Sequence, residues 1–367
     1  EAGYGGTTSA PFSSGENNVA VGTYAFDAFT TAGQTTAIGY NAGGSITTGG
    51  TNTLIGAYAG DAMTTGVENV AVGNNALGQA TGAVNFCTAL GYNALQHQLV
   101  ATGDNPSGAT AVGAEAGTHL TAGIGFTGVG WRAGYNNSGA DHATYIGYGA
   151  GYSGNFNHFN TYVGYKSGYG AGSGGEGNVG LGASTLMAVN GGHYNVAVGY
   201  QAGTAITSGA KNTAVGYESL KVSTTSAGNT ALGYQAGVAT TGAANTFIGS
   251  EAGLAAVAAE GNVVIGANAG DSMGDIDANV LIGREAGQYL KHTDTTKNVA
   301  IGKQALRGAN ASSTAPTNTV AIGYQALNAV TTGTGNVAIG YQALLKANHA
   351  DADYNVAVGQ GAGSEIL

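Results

Sequence analysis

The chain has 367 residues, of which 68 are glycine and 3 are proline, and only 8% are charged. Twenty acidic residues against ten basic ones give a net charge of −10 with no basic run, so we expect no binding to nucleic acid or to an anionic membrane surface. The scarcity of charge and proline argues against a disordered chain. No stretch of about 18 apolar residues is present, so we predict no membrane insertion.

A nine-residue motif recurs from residue 18 onward, as in residues 195–203, 212–220 and 229–237. Its central glycine, here called the marker glycine, occurs twenty times: Gly22, Gly39, Gly56, Gly73, Gly91, Gly113, Gly130, Gly147, Gly164, Gly182, Gly199, Gly216, Gly233, Gly249, Gly266, Gly283, Gly302, Gly323, Gly340 and Gly359. Most steps between markers are 17 residues, and the others range from 16 to 22. A short fixed period predicts a solenoid. We therefore expect an N-terminal lead-in over residues 1–17 and a single β-solenoid domain over residues 18–367.

The residues before each marker glycine alternate with a period of two. The residue directly before it is Val, Ile or Leu in all twenty copies, the third residue before it is Val or Thr, and the second is usually Ala. This pattern predicts a short strand that ends at the glycine, with Val and Ile pointing into the coil and the Ala column facing outward. A second apolar patch, three and four residues after the marker, predicts a second short strand. The expected fold is all-β: a parallel β-solenoid of about twenty flattened, two-sided coils, each about 17 residues long.

Stacking such coils pairs each strand, in parallel and in register, with its equivalent in the next coil. The fourth residue before the marker is Asn in fourteen copies, which predicts a ladder of amides that bond one another and the backbone. A continuous outward strip of small residues on a thin coil predicts an oligomer packed along that strip. The number of chains does not follow from these patterns.

The sequence Asn-Val-Ala-Val-Gly at residues 195–199, and Asn-Thr-Ala-Val-Gly at 212–216, resemble the head repeats of YadA-like trimeric autotransporter adhesins. The longer form of the motif, as in residues 336–344, resembles repeats of bacteriophage tail fibres. The resemblance covers nearly the whole chain. It implies a left-handed parallel β-roll in a homotrimeric rod, located extracellularly on a virion tail fibre or a bacterial cell surface, where it serves in attachment.

The candidate binding region is residues 123–169, which contain the single tryptophan and an unusual density of aromatic side chains. Exposed aromatic rings offer flat faces to sugar rings or protein partners, so we expect a cell-surface glycan or protein receptor here. The candidate receptor-binding residues are Trp131, Tyr135, His142, Tyr152, Phe156 and His158. The alternative is that these rings fill wider space inside or between coils. Tyrosine directly after the marker glycine, found in nine copies, predicts a stacked structural ladder rather than a binding track.

The sequence points to no catalytic residues, no metal site and no cofactor. The acidic residues stand mostly alone in different turns, and the histidines lack metal-ligand spacing. Cys87 occupies the position that is Asn in most copies, which favours a buried structural thiol over a nucleophile. We predict a non-catalytic attachment fibre or adhesin. The alternatives are an extracellular filament that stacks end to end through uncapped termini, a polysaccharide depolymerase, and an ice-binding protein suggested by recurring Thr-Thr-Gly turns.

Overall fold

The computed structural model describes residues 14–98, 108–154, 158–291, 295–308, 316–330, 333–346 and 353–364. Over these ranges the chain contains strands and turns but no helix, and hence no helix that could cross a membrane. The chain divides into two compact units, Glu1–Gly191 and Gly192–Leu367.

Each unit contains ten three-residue strands, one just before each marker glycine, among its described residues. The first unit has β1 Val19–Val21, β2 Thr36–Ile38, β3 Thr53–Ile55, β4 Val70–Val72, β5 Thr88–Leu90, β6 Thr110–Val112, β7 Thr127–Val129, β8 Asn136–Asn137, β9 Thr144–Ile146, β10 Ser153–Gly154, β11 Thr161–Val163 and β12 Val179–Leu181, of which β8 and β10 are additional two-residue strands. The second unit has β13 Val196–Val198, β14 Thr213–Val215, β15 Thr230–Leu232, β16 Thr246–Ile248, β17 Val263–Ile265, β18 Val280–Ile282, β19 Val299–Ile301, β20 Val320–Ile322, β21 Val337–Ile339 and β22 Val356–Val358.

Equivalent strands of successive coils pair in parallel and in register. In the pairing of β14 with β15, for example, Thr213 lies opposite Thr230 and Val215 opposite Leu232. The same register holds between β9 and β11, where Tyr145 lies opposite Tyr162. The predicted parallel β-solenoid is therefore confirmed.

The predicted orientation of the strands is wrong, because the Ala column faces inward. Ala197 and Ala214 at the strand centres are fully buried, whereas Leu232 at the end of β15 is 46% exposed. The cause lies in the alternation itself: the Asn four residues before the marker shares a face with the Ala two residues before it. Since the Asn amides are buried, the Ala side chains are buried with them, and the Val, Ile and Leu side chains are left outside.

The predicted second strand of each coil is also wrong. The segment after the marker glycine forms turns, because the second and fourth residues after the marker have positive φ, as in Gln235 (51°) and Gly237 (57°). Its backbone still bonds to the next coil, with Gly237 N–H donating to Ala252 O at 2.9 Å. Only β8 and β10 add a second, two-stranded sheet within the described residues.

The core is filled by two positions of complementary size. Where the strand centre is large, as at Tyr145 or Phe247, the fourth residue after the marker is glycine. Where the strand centre is Ala214, that position is the buried Leu220. The two positions are never both large in one coil, and where both are small, as at Ala197 and Gly203, another buried residue such as Ile206 adds bulk.

The marker glycines stack along the solenoid axis. Gly216 has φ +134°, and a Cβ placed on it would stand 2.2 Å from the carbonyl oxygen of Gly233. Any other residue would therefore clash with the backbone of the next coil, which accounts for the invariance of the marker.

The predicted Asn ladder is confirmed. Asn229 N–H donates to Asn212 Oδ1 at 2.9 Å, while Asn212 Nδ2 donates to Ser226 O at 2.8 Å and to Asn195 Oδ1 at 3.1 Å. Each amide thus bonds both the adjacent amide and the backbone. Cys87 takes one Asn position and is buried, as predicted for a structural thiol.

Candidate functional site

Two columns of aromatic rings run along the coils of residues 131–169. The first column consists of Trp131, Tyr148 and Tyr165, each directly after a marker glycine, with ring centroids 4.7 and 5.2 Å apart. The second column consists of Tyr135, Tyr152 and Tyr169, four residues further along each coil, with centroids 5.2 and 4.7 Å apart. Because successive coils are in register, residues 17 apart in sequence are stacked on one another.

Stacking covers the faces of these rings. Tyr152 lies between Tyr135 and Tyr169 with interplanar angles of 12° and 15°. Tyr148 lies between Trp131 and Tyr165 in the same way, with angles of 37° and 23°. Tyr148 and Tyr165 are nevertheless 44% and 50% exposed. For Tyr148 and Tyr152, which have a ring on each side, the solvent therefore meets ring edges and hydroxyl groups rather than the flat faces inferred from the sequence.

Two cations connect the columns. The guanidinium carbon of Arg132 lies 4.2 Å from the ring centre of Trp131 and 5.1 Å from that of Tyr135. The Lys166 Nζ lies 5.3 Å from the ring centre of Tyr165 and 5.1 Å from that of Tyr169. Each cation is thus held against one ring of each column by cation–π attraction. We call the eight side chains together the aromatic–cation patch.

The two cations differ in their polar partners. Arg132 Nε donates to the carboxylate of Glu115, and this hydrogen bond raises the pKa of the Arg132 guanidinium. For Lys166, a hydrogen bond with the Tyr165 hydroxyl raises the pKa of the ammonium group. Partial burial raises the pKa of Tyr152, and its hydroxyl, like that of any tyrosine, is a hydrogen-bond donor at neutral pH. The patch is therefore positively charged around pH 7 and rich in donors.

A shallow groove of about 190 Å³ lies beside the second column. Its lining is small and polar: Asn136, Ser153, Gly154, Gly170, Ala171, Gly172 and Ser173. Asn136 and Ser153 come from β8 and β10 and directly follow Tyr135 and Tyr152 in the chain. The extra two-stranded sheet thus contributes to a concave surface whose lining follows the second column in sequence but contains none of its rings.

The structure separates the sequence-predicted site residues into two groups. Trp131, Tyr135 and Tyr152 belong to the aromatic–cation patch. His142 and His158 precede their coils' strands, so β9 intervenes along the chain between His142 and Tyr148.

The two histidines share an exposed aromatic neighbour. His142 stacks on Phe159 with centroids 5.5 Å apart, and His158 Nδ1 lies 3.3 Å from an Asp141 carboxylate oxygen. Phe159 is 60% exposed. Phe156, the remaining predicted residue, lies outside the described residues.

Other aromatic side chains of the same region are core. Phe126, Tyr145 and Tyr162 are fully buried, so the alternative of space-filling rings is confirmed for these three. The predicted tyrosine ladder is also confirmed: Tyr217 stacks on Tyr200 at 5.5 Å and on Tyr234 at 5.2 Å.

A histidine pair continues the second column toward the N-terminus. His97 stacks on His119 at 5.0 Å, and His119 meets Tyr135 edge-on at 4.9 Å. Desolvation lowers the pKa of His119, and the nearby His97 lowers it further. At neutral pH His119 therefore belongs to the column as an uncharged ring.

Arg132 and Lys166 were not singled out from the sequence, although a signal for them exists. The pairs Trp131/Tyr135, Tyr148/Tyr152 and Tyr165/Tyr169 repeat with the 17-residue period, and the cations sit directly after the first residue of two of these pairs. Aligning the copies by their marker glycines would have placed the rings in columns and the cations between them.

Among the described residues, no group of three or more His, Cys, Asp or Glu side chains could hold a metal ion. The carboxylates of Asp275 and Asp277 instead accept hydrogen bonds from the backbone of the preceding coil. Asp275 Oδ1 accepts a hydrogen bond from Ala258 N–H, and Asp277 Oδ1 accepts one from Glu260 N–H.

An outward strip of aliphatic side chains accompanies the strands of each unit. In the first unit, Ile38, Ile55, Ile146 and Leu181 are 37% to 39% exposed, and in the second, Leu232, Ile301 and Ile339 are 36% to 46% exposed. This aliphatic strip replaces the small-residue strip expected from the sequence.

Neither the known family models nor the curated proteins contain a match to this chain.

Proposed function

We propose that the chain is a non-catalytic attachment fibre or adhesin, located extracellularly on a virion tail fibre or a bacterial cell surface. The observation that carries this proposal is the aromatic–cation patch. On an otherwise repetitive scaffold, it adds Trp131, the second ring column, two cations and a groove to the recurring tyrosine ladder. Binding residues on repeat proteins concentrate where the copies deviate from the consensus in this way. In this proposal Trp131, Tyr135 and Tyr152 contact the receptor, and His142 and His158 form a second contact surface with Phe159.

We propose further that the fibre is a homotrimer of left-handed β-rolls packed side by side. The aliphatic strip supports lateral packing, because side chains such as Ile146 and Leu232 would remain half in water on a single chain. The number three and the handedness follow from the resemblance to trimeric adhesin heads. The contact surface is the Val, Ile and Leu side chains rather than the Ala and Gly column.

Cell binding tests the attachment function. The fluorescently labelled chain is incubated with a panel of bacterial cells, alongside a variant carrying Trp131→Ala and Tyr152→Ala. A matched control carries Tyr217→Ala and Tyr234→Ala, which removes two stacked rings from the second unit. We expect the wild type and the control to label at least one strain and the patch variant to lose that labelling. Labelling of no strain, or equal labelling by all three proteins, would contradict the proposal.

End-to-end assembly into a filament is the second candidate. In this arrangement the edge strand of one chain would pair with the edge strand of the next. Unpaired strand edges readily take up another strand. Electron micrographs distinguish the two: rods of one length favour the discrete fibre, and rods of graded length favour the filament.

A further inference from the structure

We propose that the aromatic–cation patch binds an acidic polysaccharide that lies along the solenoid axis. The inference rests on the proposed attachment function and specifies the chemical class of its receptor.

The stacked rings of Tyr148 and Tyr152 offer a ligand their edges rather than their faces. Stacking at 4.7 to 5.2 Å uses their faces, so a sugar cannot lie flat on Tyr148 or Tyr152 as it would on an isolated ring. The edges of aromatic rings carry the positive end of their quadrupole, and the tyrosine hydroxyls add hydrogen-bond donors. An electropositive row of edges and donors favours a ligand with negative charge and many oxygen acceptors.

Lys166 provides a positive charge within the patch. Within the described residues no carboxylate lies within 4.0 Å of its ammonium nitrogen, whereas Arg132 pairs with Glu115 and Lys221 pairs with Glu218. The Tyr165 and Tyr169 rings hold the Lys166 side chain in place, so its positive charge is positioned but not neutralised by a neighbour. A carboxylate or sulfate on a ligand would complete the pair with a charge-assisted hydrogen bond.

The net charge around the patch differs from that of the whole chain. Residues 110–170 contain two acidic and two basic side chains, so this stretch is neutral in a chain of net charge −10. The net charge of this stretch therefore does not repel an anionic polymer. Charge alone does not single out the patch, because residues 284–307 carry five basic and two acidic side chains.

The shape of the groove suits a linear polymer. The groove along Asn136, Ser153 and Gly170 follows the second column across three coils and is lined by small residues. A linear polymer has room there to run parallel to the column. Each coil would then offer one tyrosine hydroxyl to a successive part of the polymer, because the rings repeat once per coil.

Binding of the full chain to immobilised polymers tests this inference. The probes are polygalacturonate, dextran sulfate, uncharged dextran and polyglutamate, each measured at low and moderate salt. We expect binding to polygalacturonate or dextran sulfate that weakens as salt increases, with at least tenfold weaker binding to dextran and polyglutamate. Which of the two anionic sugars binds more tightly identifies the acidic group as carboxylate or sulfate.

Three variants locate the site. Lys166→Gln is expected to weaken binding about tenfold or more, since it removes one charge-assisted hydrogen bond. A triple variant keeps the stack and removes only three hydroxyls: Tyr135→Phe, Tyr152→Phe and Tyr169→Phe. It is also expected to weaken binding about tenfold. Lys211→Gln removes an equal charge from the second unit and is expected to bind as the wild type does.

Several outcomes would overturn the inference. The first two are binding to none of the polymers and equally strong binding to dextran. Equally strong binding to polyglutamate would also overturn it and would make an acidic polypeptide the ligand. The last is binding as strong as that of the wild type by both patch variants. The cell-labelling experiment is independent. If the patch variant loses cell labelling while no acidic polymer binds, the attachment function stands and only the ligand class is wrong.

Discussion

The backbone of Gly151 lies against the buried ring of Tyr145, so closely that a Cβ on Gly151 would stand 2.6 Å from the ring carbon Cδ2. This contact is one instance of the size complementarity that fills the core. A ring at the strand centre occupies the space that is filled in other coils by a leucine four residues after the marker glycine. Only glycine therefore fits at that turn position.

Gly151→Ala is therefore expected to destabilise the protein by about 1–3 kcal/mol more than Gly261→Ala, owing to overpacking against Tyr145. Both glycines have positive φ, 56° and 66°, so the backbone strain is similar in the two variants. A Cβ on Gly261 would have no atom within 4 Å. Urea denaturation measures the difference, and equal stabilities would show that the core is not packed around the ring.

Asn212→Ala is expected to cost about 2 kcal/mol or more. The variant leaves Asn229 N–H and Ser226 O buried without their amide partners, and such groups cost about 1–3 kcal/mol each. Asn355 occupies the same position in the last described coil, where it is only half-buried, and serves as the control. Asn355→Ala is expected to cost less than half as much, and an equal cost at both sites would argue against the ladder as a source of stability.

Stability is expected to fall above about pH 10. Burial raises the pKa of Tyr145 and of Tyr162 above the ordinary tyrosine value of about 10. The unfolded chain therefore releases these protons first, so the stabilisation is intact below pH 10 and is lost as the pH rises toward the folded-state pKa values. Thermal melting between pH 8 and pH 11 measures this loss. The double variant Tyr145→Phe, Tyr162→Phe should flatten the decline, whereas Tyr341→Phe should not.

Acidification is expected to destabilise the protein through His119, whose pKa is lowered mainly by desolvation. The unfolded chain takes up a proton near the ordinary histidine pKa of about 6.5, before the folded chain does. The stabilisation is thus complete above pH 6.5 and is lost as the pH falls through the lower, folded-state pKa. Melting temperatures at pH 7.5 and pH 5 are compared for the wild type and His119→Gln. An equal loss in both proteins would exclude His119 as a source of the acid sensitivity.

The solenoid, its register and the Asn ladder could all be predicted from the sequence. In a stack of coils with a 17-residue period, each residue lies next to the equivalent residues of the adjacent coils. Which face of the strands is buried could not be predicted. Alternation shows that Ala197 and Val198 face opposite ways, but either could be inside until the burial of Asn195 is known. The prediction of a second strand was wrong because positive φ at residues such as Gln235 is not apparent from residue type.

The candidate site was predicted in part. Trp131, Tyr135 and Tyr152 do lie together, because they repeat at the solenoid period. His142 and His158 are near Trp131 in sequence but belong to the segment before the strand, which places them in another group. The role of Arg132 and Lys166 depends on geometry between coils, and proximity along the chain does not reveal it.

The native mass in solution tests the central claim, that copies of this chain pack side by side along the aliphatic strip to form a fibre. Size-exclusion chromatography with light scattering measures it directly for a chain of 35.7 kDa. We expect a single species of three times that mass. A species with the mass of one chain would contradict it, because the Val, Ile and Leu side chains of the strip would then face water along each unit.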